Sequence, residues 1–250
     1  MEHLLRATAI AEARHFWFRG FRAFVTPLIE TAVAGRADPL LLDCGCGTGA
    51  NVEMLSSYGR AFGFDLSATV LRIGREAGRS RLARASVTAV PFPSAAFDVV
   101  TSFDVLYALQ DEPERAAIGE MFRLLTPGGH AIVNVAAMNI LRGDHSVLSQ
   151  EVRRFSRGQL RAHLQAGGFE IVRLTYTNAS IFLPLAAVRL IQRGRGLRPE
   201  REAAESDIRV PPAPINALMS AVMRLEAAWI RRFDAPFGSS VLCLARKPAT

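Results

Sequence analysis

Apolar residues along this 250-residue chain change their period, and the changes mark out elements. Near the N-terminus Phe21, Phe24, Val25, Leu28 and Ile29 recur with helical spacing, and residues 1–38 read as helices. From residue 39 onward, short apolar runs alternate with amphipathic segments, the pattern of parallel strands joined by crossover helices. The runs predict strands at Leu40–Cys44, Ala61–Asp65, Arg81–Ala85, Phe97–Ser102, His130–Ala136, Phe169–Tyr176 and Ser240–Ala245. Helices are expected at Asn51–Ser57, after Ser67, at Pro113–Leu125 and at Arg157–Ala166, with Ser67 and Ser156 as N-caps. Thr126-Pro127-Gly128-Gly129 reads as the stop between a helix and the fifth strand.

The first strand carries the candidate chemistry. It runs into Asp43-Cys44-Gly45-Cys46-Gly47-Thr48-Gly49, after which a helix-compatible segment begins at Ala50. Strand, glycine turn and helix together present backbone N–H groups to a nucleotide-like ligand. Asp65 closes the second apolar run about 20 residues later, where a carboxylate can hold ribose hydroxyls. The glycines are spaced G-x-G-x-G, whereas the dinucleotide fingerprint is G-x-G-x-x-G.

With Asp43 ahead of those glycines, the stretch resembles motif I of the class I S-adenosylmethionine (SAM) methyltransferases. Val90-Pro91-Phe92-Pro93 leading into Phe97-Asp98-Val99-Val100, then Ser102-Phe103-Asp104-Val105-Leu106, then Leu124-Leu125-Thr126-Pro127-Gly128-Gly129 resemble later segments of that family in the same order. Trp17-Phe18-Arg19-Gly20, Arg153-Arg154-Phe155-Ser156 and Pro236-Phe237-Gly238-Ser239-Ser240 are similar to a bacterial "type 11" subgroup. The resemblance implies a Rossmann-like, doubly wound α/β fold with a seven-stranded mixed sheet, binding SAM as methyl donor. It implies that Cys44, Gly45, Gly47 and Gly49 lie against the ligand, and that Asp43 either orients this loop or meets the methionine amine, directly or through water. Asp65 would bind the ribose, Leu66 would cover the adenine, and Phe103 would lie under the methionine part. Many relatives have an acidic residue where this chain has Ser86; its hydroxyl and the Val87 backbone are expected to take over the adenine contact.

The same resemblance divides the chain into a helical cap (1–38), a SAM-binding core (39–176), an insert (177–239) and a last strand (240–250). The sixth strand would run parallel to the central ones, so the insert leaves the sheet at its ligand edge. It is expected to be an acceptor lid, with a dimerisation element as the alternative. Its apolar residues, among them Ile181, Leu183, Leu218, Met223 and Leu225, either line an acceptor site or belong to two helices packing on each other. Residues 1–38 either pack on the sheet edge or cap the pocket, which would bring Arg19 or His15 to the ligand. His145, just past the fifth strand, is the candidate general base. His130 and His163 are expected to be structural.

Composition narrows the partners. The net charge is +7, with Lys247 the single lysine among 30 basic residues. A basic surface favours an anionic acceptor or an anionic membrane face. No nucleic-acid module is recognisable, so nucleic acid is not expected as partner. Arg154, Arg157 and Arg161 are spaced to share a helix face with Arg153 nearby, either solvated or binding phosphate. Cys44-x-Cys46 has the wrong spacing for zinc, and no metal is expected. The start lacks a signal-peptide core, which suggests the cytoplasm. The stretch Ala179–Ile191 is too interrupted to span a bilayer, which needs about 20 apolar residues, yet its basic flank leaves peripheral contact open. Arg193–Pro214, rich in Arg, Glu and Pro, reads as disordered. A small or lipid-like acceptor, methylated in line and without metal, is the function expected. An NAD(P)-dependent oxidoreductase and a non-catalytic SAM-binding protein are the alternatives.

Overall fold

β1 (Leu40–Cys44) is buried from Leu41 onward, as a central strand covered on both faces must be. The computed structural model describes residues 11–148, 150–196 and 210–249, apart from the side chains of His145 and Leu148. The sheet has seven strands in the order β3-β2-β1-β4-β5-β7-β6. β2 is Arg60–Asp65, β3 Leu82–Arg84, β4 Phe97–Phe103, β5 Leu125–Ala136, β6 Glu170–Thr177 and β7 Ser240–Arg246. β7 runs antiparallel to both of its neighbours, while the other pairs are parallel. The carboxyl ends of β1, β2, β4, β5 and β6 therefore share one edge. This is the expected mixed sheet, and the antiparallel β7 separates it from the all-parallel dinucleotide sheet.

α1 (Phe16–Val33) buries Phe24, Val25, Leu28 and Ile29 against the sheet, so the N-terminal periodicity reports packing. α2 (Ala50–Leu55), α3 (Ala68–Glu76), α4 (Asp111–Leu124), α5 (Asp144–Leu148) and α6 (Arg157–Ala166) connect the strands. Ser67 and Ser156 cap α3 and α6 as expected, the latter in a reciprocal capping box with Gln159.

Two expectations need correction. Thr126-Pro127-Gly128-Gly129 is not a turn ahead of β5 but a bulge within it: β5 begins at Leu125, directly after α4, Leu125 pairs with Phe97 and His130 with Val99, and Gly128 between them has φ +73° and donates to the Lys247 carbonyl. Lys247 Nζ donates to the Phe122 and Leu125 carbonyls, capping α4 with a cation instead. The insert also does not form a self-packed pair. α7 (Phe182–Gly194) rests on the turn Asn139–Leu141, whereas α8 (Ala213–Ile230) lies along α1. Of the stretch expected to be disordered, residues 197–209 lie outside the described residues.

Candidate functional site

The turn after β1 is built by β2. Gly45 N–H and Cys46 N–H both donate to the Phe64 carbonyl, at 2.9 Å each. Gly45 has φ +78°, and a Cβ there would stand 2.4 Å from a Val105 methyl. Gly47 has φ +55°, but its missing Cβ faces open space, with nothing within 4 Å. Glycine at 45 thus serves packing and handedness, while glycine at 47 keeps a free path to the backbone. Asp65 ties this loop to the next one, accepting from Gly47 N–H at 2.9 Å and Ser67 N–H at 2.8 Å. Each carboxylate oxygen retains a lone pair for a further donor. Beside it Leu66 is 65% exposed, an apolar side chain displayed at the mouth of the site.

Asp43 is 1% exposed. Thr101 Oγ1 donates to its Oδ1 at 2.6 Å, and its Oδ2 is buried without a hydrogen-bond partner. Burial raises its pKa to about 7 against the pull of the Thr101 bond, and the nearby Asp65 charge adds to the rise. A carboxylate held this way calls for a cationic donor. The Cys44 and Cys46 thiols are free and buried, and burial pushes both pKa values up, so they pack the turn as unreactive neutral groups.

The remaining candidates are placed less directly. The Ser86 hydroxyl accepts from Thr88 N–H at 3.2 Å and lies 2.8 Å from Thr88 Oγ1, which makes a local turn; Val87 next to it is partly buried. Glu120 and Arg123 of α4 fasten the following segment, through Val90 N–H and the Val90 and Phe92 carbonyls. Phe103 ends β4 with its ring edge-on to Phe21 of α1, 5.0 Å between centroids. Arg19 lines a cleft of about 450 Å³ with Ala217, Ser220 and Arg224 of α8. His145 lies in α5 beyond β5, and its side chain is outside the described residues.

Sequence reasoning missed two features. Asp104 follows Phe103 in the left-handed region, φ 59°, held by Asn134 through its Nδ2 and its carbonyl, both at 2.9 Å. This places an acid beside Val105 and Gly45 at the carboxyl end of β4; a strand-end acid in the β4 motif was the available signal. Glu12 accepts from Thr48 Oγ1, and no local pattern could have joined residues 36 apart.

The arginine cluster also needs correction. Arg154 precedes α6 and is buried, paired at 2.8 Å twice with Glu151 and donating to the Ala137 carbonyl. Arg153 reaches Asp111 and buried Glu114, whose other oxygen lies 2.6 Å from His163 Nδ1. These charges line a groove of about 950 Å³ between α4 and α6, away from the glycine turn. Asp111, Glu114, Arg153 and His163 are engaged with one another there, and no residue of the Asp43–Gly49 turn lines it, so its volume does not make it the active site. Among the described residues no His/Cys/Asp/Glu cluster could hold a metal.

An orphaned carboxylate oxygen, a cradle open above Gly47, an anchored acid with spare lone pairs and an exposed Leu66 fit a nucleoside that bears a cationic amino-acid arm. Comparison with known proteins agrees. Residues 42–133 match a family model described as a methyltransferase domain. A protein of Mycolicibacterium smegmatis named "probable S-adenosylmethionine-dependent methyltransferase" is 28% identical over 63% of this chain and 60% of its own length. A ubiquinone/menaquinone biosynthesis C-methyltransferase of Marinomonas is 26% identical over 48% of this chain and 50% of its own. A bovine protein named "probable tRNA methyltransferase 9B" is 33% identical over 40% and 22%. The chain thus spans less than two thirds of each of these relatives. A SAM-dependent methyltransferase structure from Mesorhizobium loti shares the fold at TM-score 0.56 and 17% identity, over 89% of this chain and 97% of that one. Residues 42–133 are thus a methyltransferase domain, and the chain around them is similar to SAM-dependent methyltransferases.

Proposed function

We propose that this chain transfers the methyl group of SAM to a small or lipid-like acceptor by direct in-line displacement, with no metal. The observation that carries the reading is the buried, unpartnered Oδ2 of Asp43 next to the glycine turn. When bound, SAM supplies a methyl group already activated on a sulfonium. Asp43, once ionised, receives the ammonium of the methionine arm, and Asp65 accepts from the ribose hydroxyls. Leu66 covers one face of the adenine, while the Ser86–Val87 backbone meets its edge. Phe103 and the glycine turn bound the methionine arm. The protein's work is positioning, because bringing a nucleophile in line with the methyl supplies most of the acceleration. His145 is proposed as the base for an acceptor that must lose a proton.

Titration calorimetry with SAM and with NADH separates methyl transfer from hydride transfer: heat with NADH and none with SAM would sink the proposal. Turnover is read as S-adenosylhomocysteine formed with cell extract, before and after dialysis against chelator. Methyl-labelled SAM then reports the acceptor class. Label in the solvent-extractable fraction supports a lipid-like acceptor, whereas label confined to RNA overturns it in favour of the acceptor named in the tRNA methyltransferase relative.

A further inference from the structure

The two insert helices are amphipathic the wrong way round for a free surface. α7 turns polar groups toward the protein. Arg189 is buried against Gly143, Gln192 Oε1 accepts from Asp144 N–H at 3.2 Å, and Arg195 donates to Asp144 Oδ2 at 2.9 Å. Its other face carries Leu183, Ala187, Leu190 and Ile191, spaced i, i+4, i+7 and i+8, with Leu183 76% exposed.

α8 repeats the arrangement. Asn216 holds the start of α1 through Phe16 N–H and the Arg14 carbonyl, and buried Glu226 accepts from Ala179 and Ser180 N–H. The opposite face exposes Ile215, Leu218, Leu225 and Trp229, with Leu225 at 72%. Trp229 stacks on exposed Phe233, and exposed Phe237 meets Phe182 at the start of α7. An apolar surface of this length needs an occupant.

Charge says which one. α7 has no acidic residue, and the single acid of α8, Glu226, is buried and spent on backbone. Arg193 and Arg232 are exposed beside the apolar stripes, on a chain of net charge +7. Apolar helix stripes flanked by arginine, with no exposed acid on either helix and the nearby Asp234 paired to Arg173, match an anionic lipid interface. We propose that the outer faces of α7 and α8 dock this protein on an anionic membrane surface. β6 delivers the insert from the sheet edge that carries the glycine turn, so the docked segment begins at that edge. The inference deepens the proposed lipid-like acceptor and rests on that reading only for its purpose.

The test is co-sedimentation with sucrose-loaded vesicles of phosphatidylcholine, with and without phosphatidylglycerol, at low and high salt. The full chain should sediment with the phosphatidylglycerol vesicles and be released by salt. Leu190→Asp with Leu218→Asp should lower the bound fraction about tenfold or more, and Arg193→Glu with Arg232→Glu should abolish the preference for anionic lipid. Because these side chains point outward, melting temperature and SAM affinity should stay at the parental values. Should a pair misfold, Leu190→Ser and Leu218→Ser serve in its place. No sedimentation, equal binding to both vesicle types, or binding indifferent to the leucine changes would overturn the proposal. So would a dimer in light scattering that the same leucine changes dissociate. SAM calorimetry on the same samples keeps the two proposals apart, since a chain that binds SAM but not vesicles refutes docking alone.

Discussion

Thr48 Oγ1 donates a 2.8 Å hydrogen bond to Glu12 Oε2, and Arg79 closes the corner with a 2.6 Å bond to the same hydroxyl. The segment ahead of α1 is thereby fastened onto the glycine turn, with Arg79 also paired to Glu12 at 3.4 Å. If SAM leaves through this corner, Glu12→Ala should speed its release. Losing one charged hydrogen bond corresponds to about a five- to tenfold faster off-rate, readable by stopped-flow displacement. An unchanged off-rate would show that the latch holds the fold and not the ligand.

Asp43 gives a pH signature with a definite sign. Its pKa rises from 3.8 to about 7 on folding, so the native state holds a proton that the unfolded state has released. Stability contributed by this group falls as pH rises from about 4 to about 7 and is level above that. Asp43→Asn removes the charge. Its stability relative to the parent should therefore climb across the window, by roughly 4 kcal/mol if the whole shift is realised. SAM binding should move the other way: weak for the variant at every pH, and for the parent stronger at pH 8 than at pH 5. Calorimetry in buffers of different ionisation enthalpy should detect a proton released on binding near neutral pH, and no release would remove Asp43 from the ligand.

Asp65 does two jobs that one substitution can separate. Asp65→Asn keeps an acceptor for only one of the Gly47 and Ser67 N–H groups and loses the charge toward the ribose. A drop in SAM affinity of about 10- to 100-fold is expected, from charged hydrogen bonds of roughly 1.5–3 kcal/mol. The melting temperature should fall only slightly, because the loop is surface-proximal. A large melting shift with intact affinity would make Asp65 a structural residue.

The core of this site was legible in the chain because it is local. Asp43 to Gly49 is one continuous turn, Asp65 ends the neighbouring strand, and strand–turn–helix order places them without any long-range information. What was not legible depends on approach through space. Glu12 reaches Thr48 only because α1 lies back across the sheet. Arg154 was read on a helix face because its spacing to Arg157 and Arg161 is helical, but α6 starts at Arg157 and Arg154 turns inward to Glu151. Thr126 to Gly129 looked like a turn on residue type, yet Leu125 already pairs with Phe97 of β4, so the four residues bulge inside β5, held at Gly128 and Gly129 by bonds with Lys247. The insert's apolar residues were visible, but which way they face is set by where Arg189, Asn216 and Glu226 find partners.

Ser86 tests the adenine side. Its hydroxyl already accepts from Thr88 N–H at 3.2 Å, a bond that an aspartate side chain can reproduce as an Asx turn. Ser86→Asp should keep the local fold, add a charged acceptor and tighten SAM binding about three- to tenfold. Calorimetry showing no gain would place the adenine away from this loop.

Gly20 and Met223 decide whether the insert can be handled separately from the core. A Cβ added at Gly20 would stand 2.3 Å from Met223 Cε and 2.9 Å from its Cβ, so the whole side chain, not its tip, is in the way. Met223 is fully buried and α8 lies along α1, which in turn covers the sheet. Excising residues 180–235 would therefore bare part of the core, and lost activity in such a deletion would say nothing about a lid. Gly20→Ala is the sharper change. It should push α8 off α1 at a cost of about 1–3 kcal/mol, the usual range for overpacking. Hydrogen exchange should speed up in α8 and the adjoining turns of α1 while β1, β4 and β5 stay protected. Uniform loss of protection across the sheet would mean that α8 folds as part of the core and does not move as a separate layer.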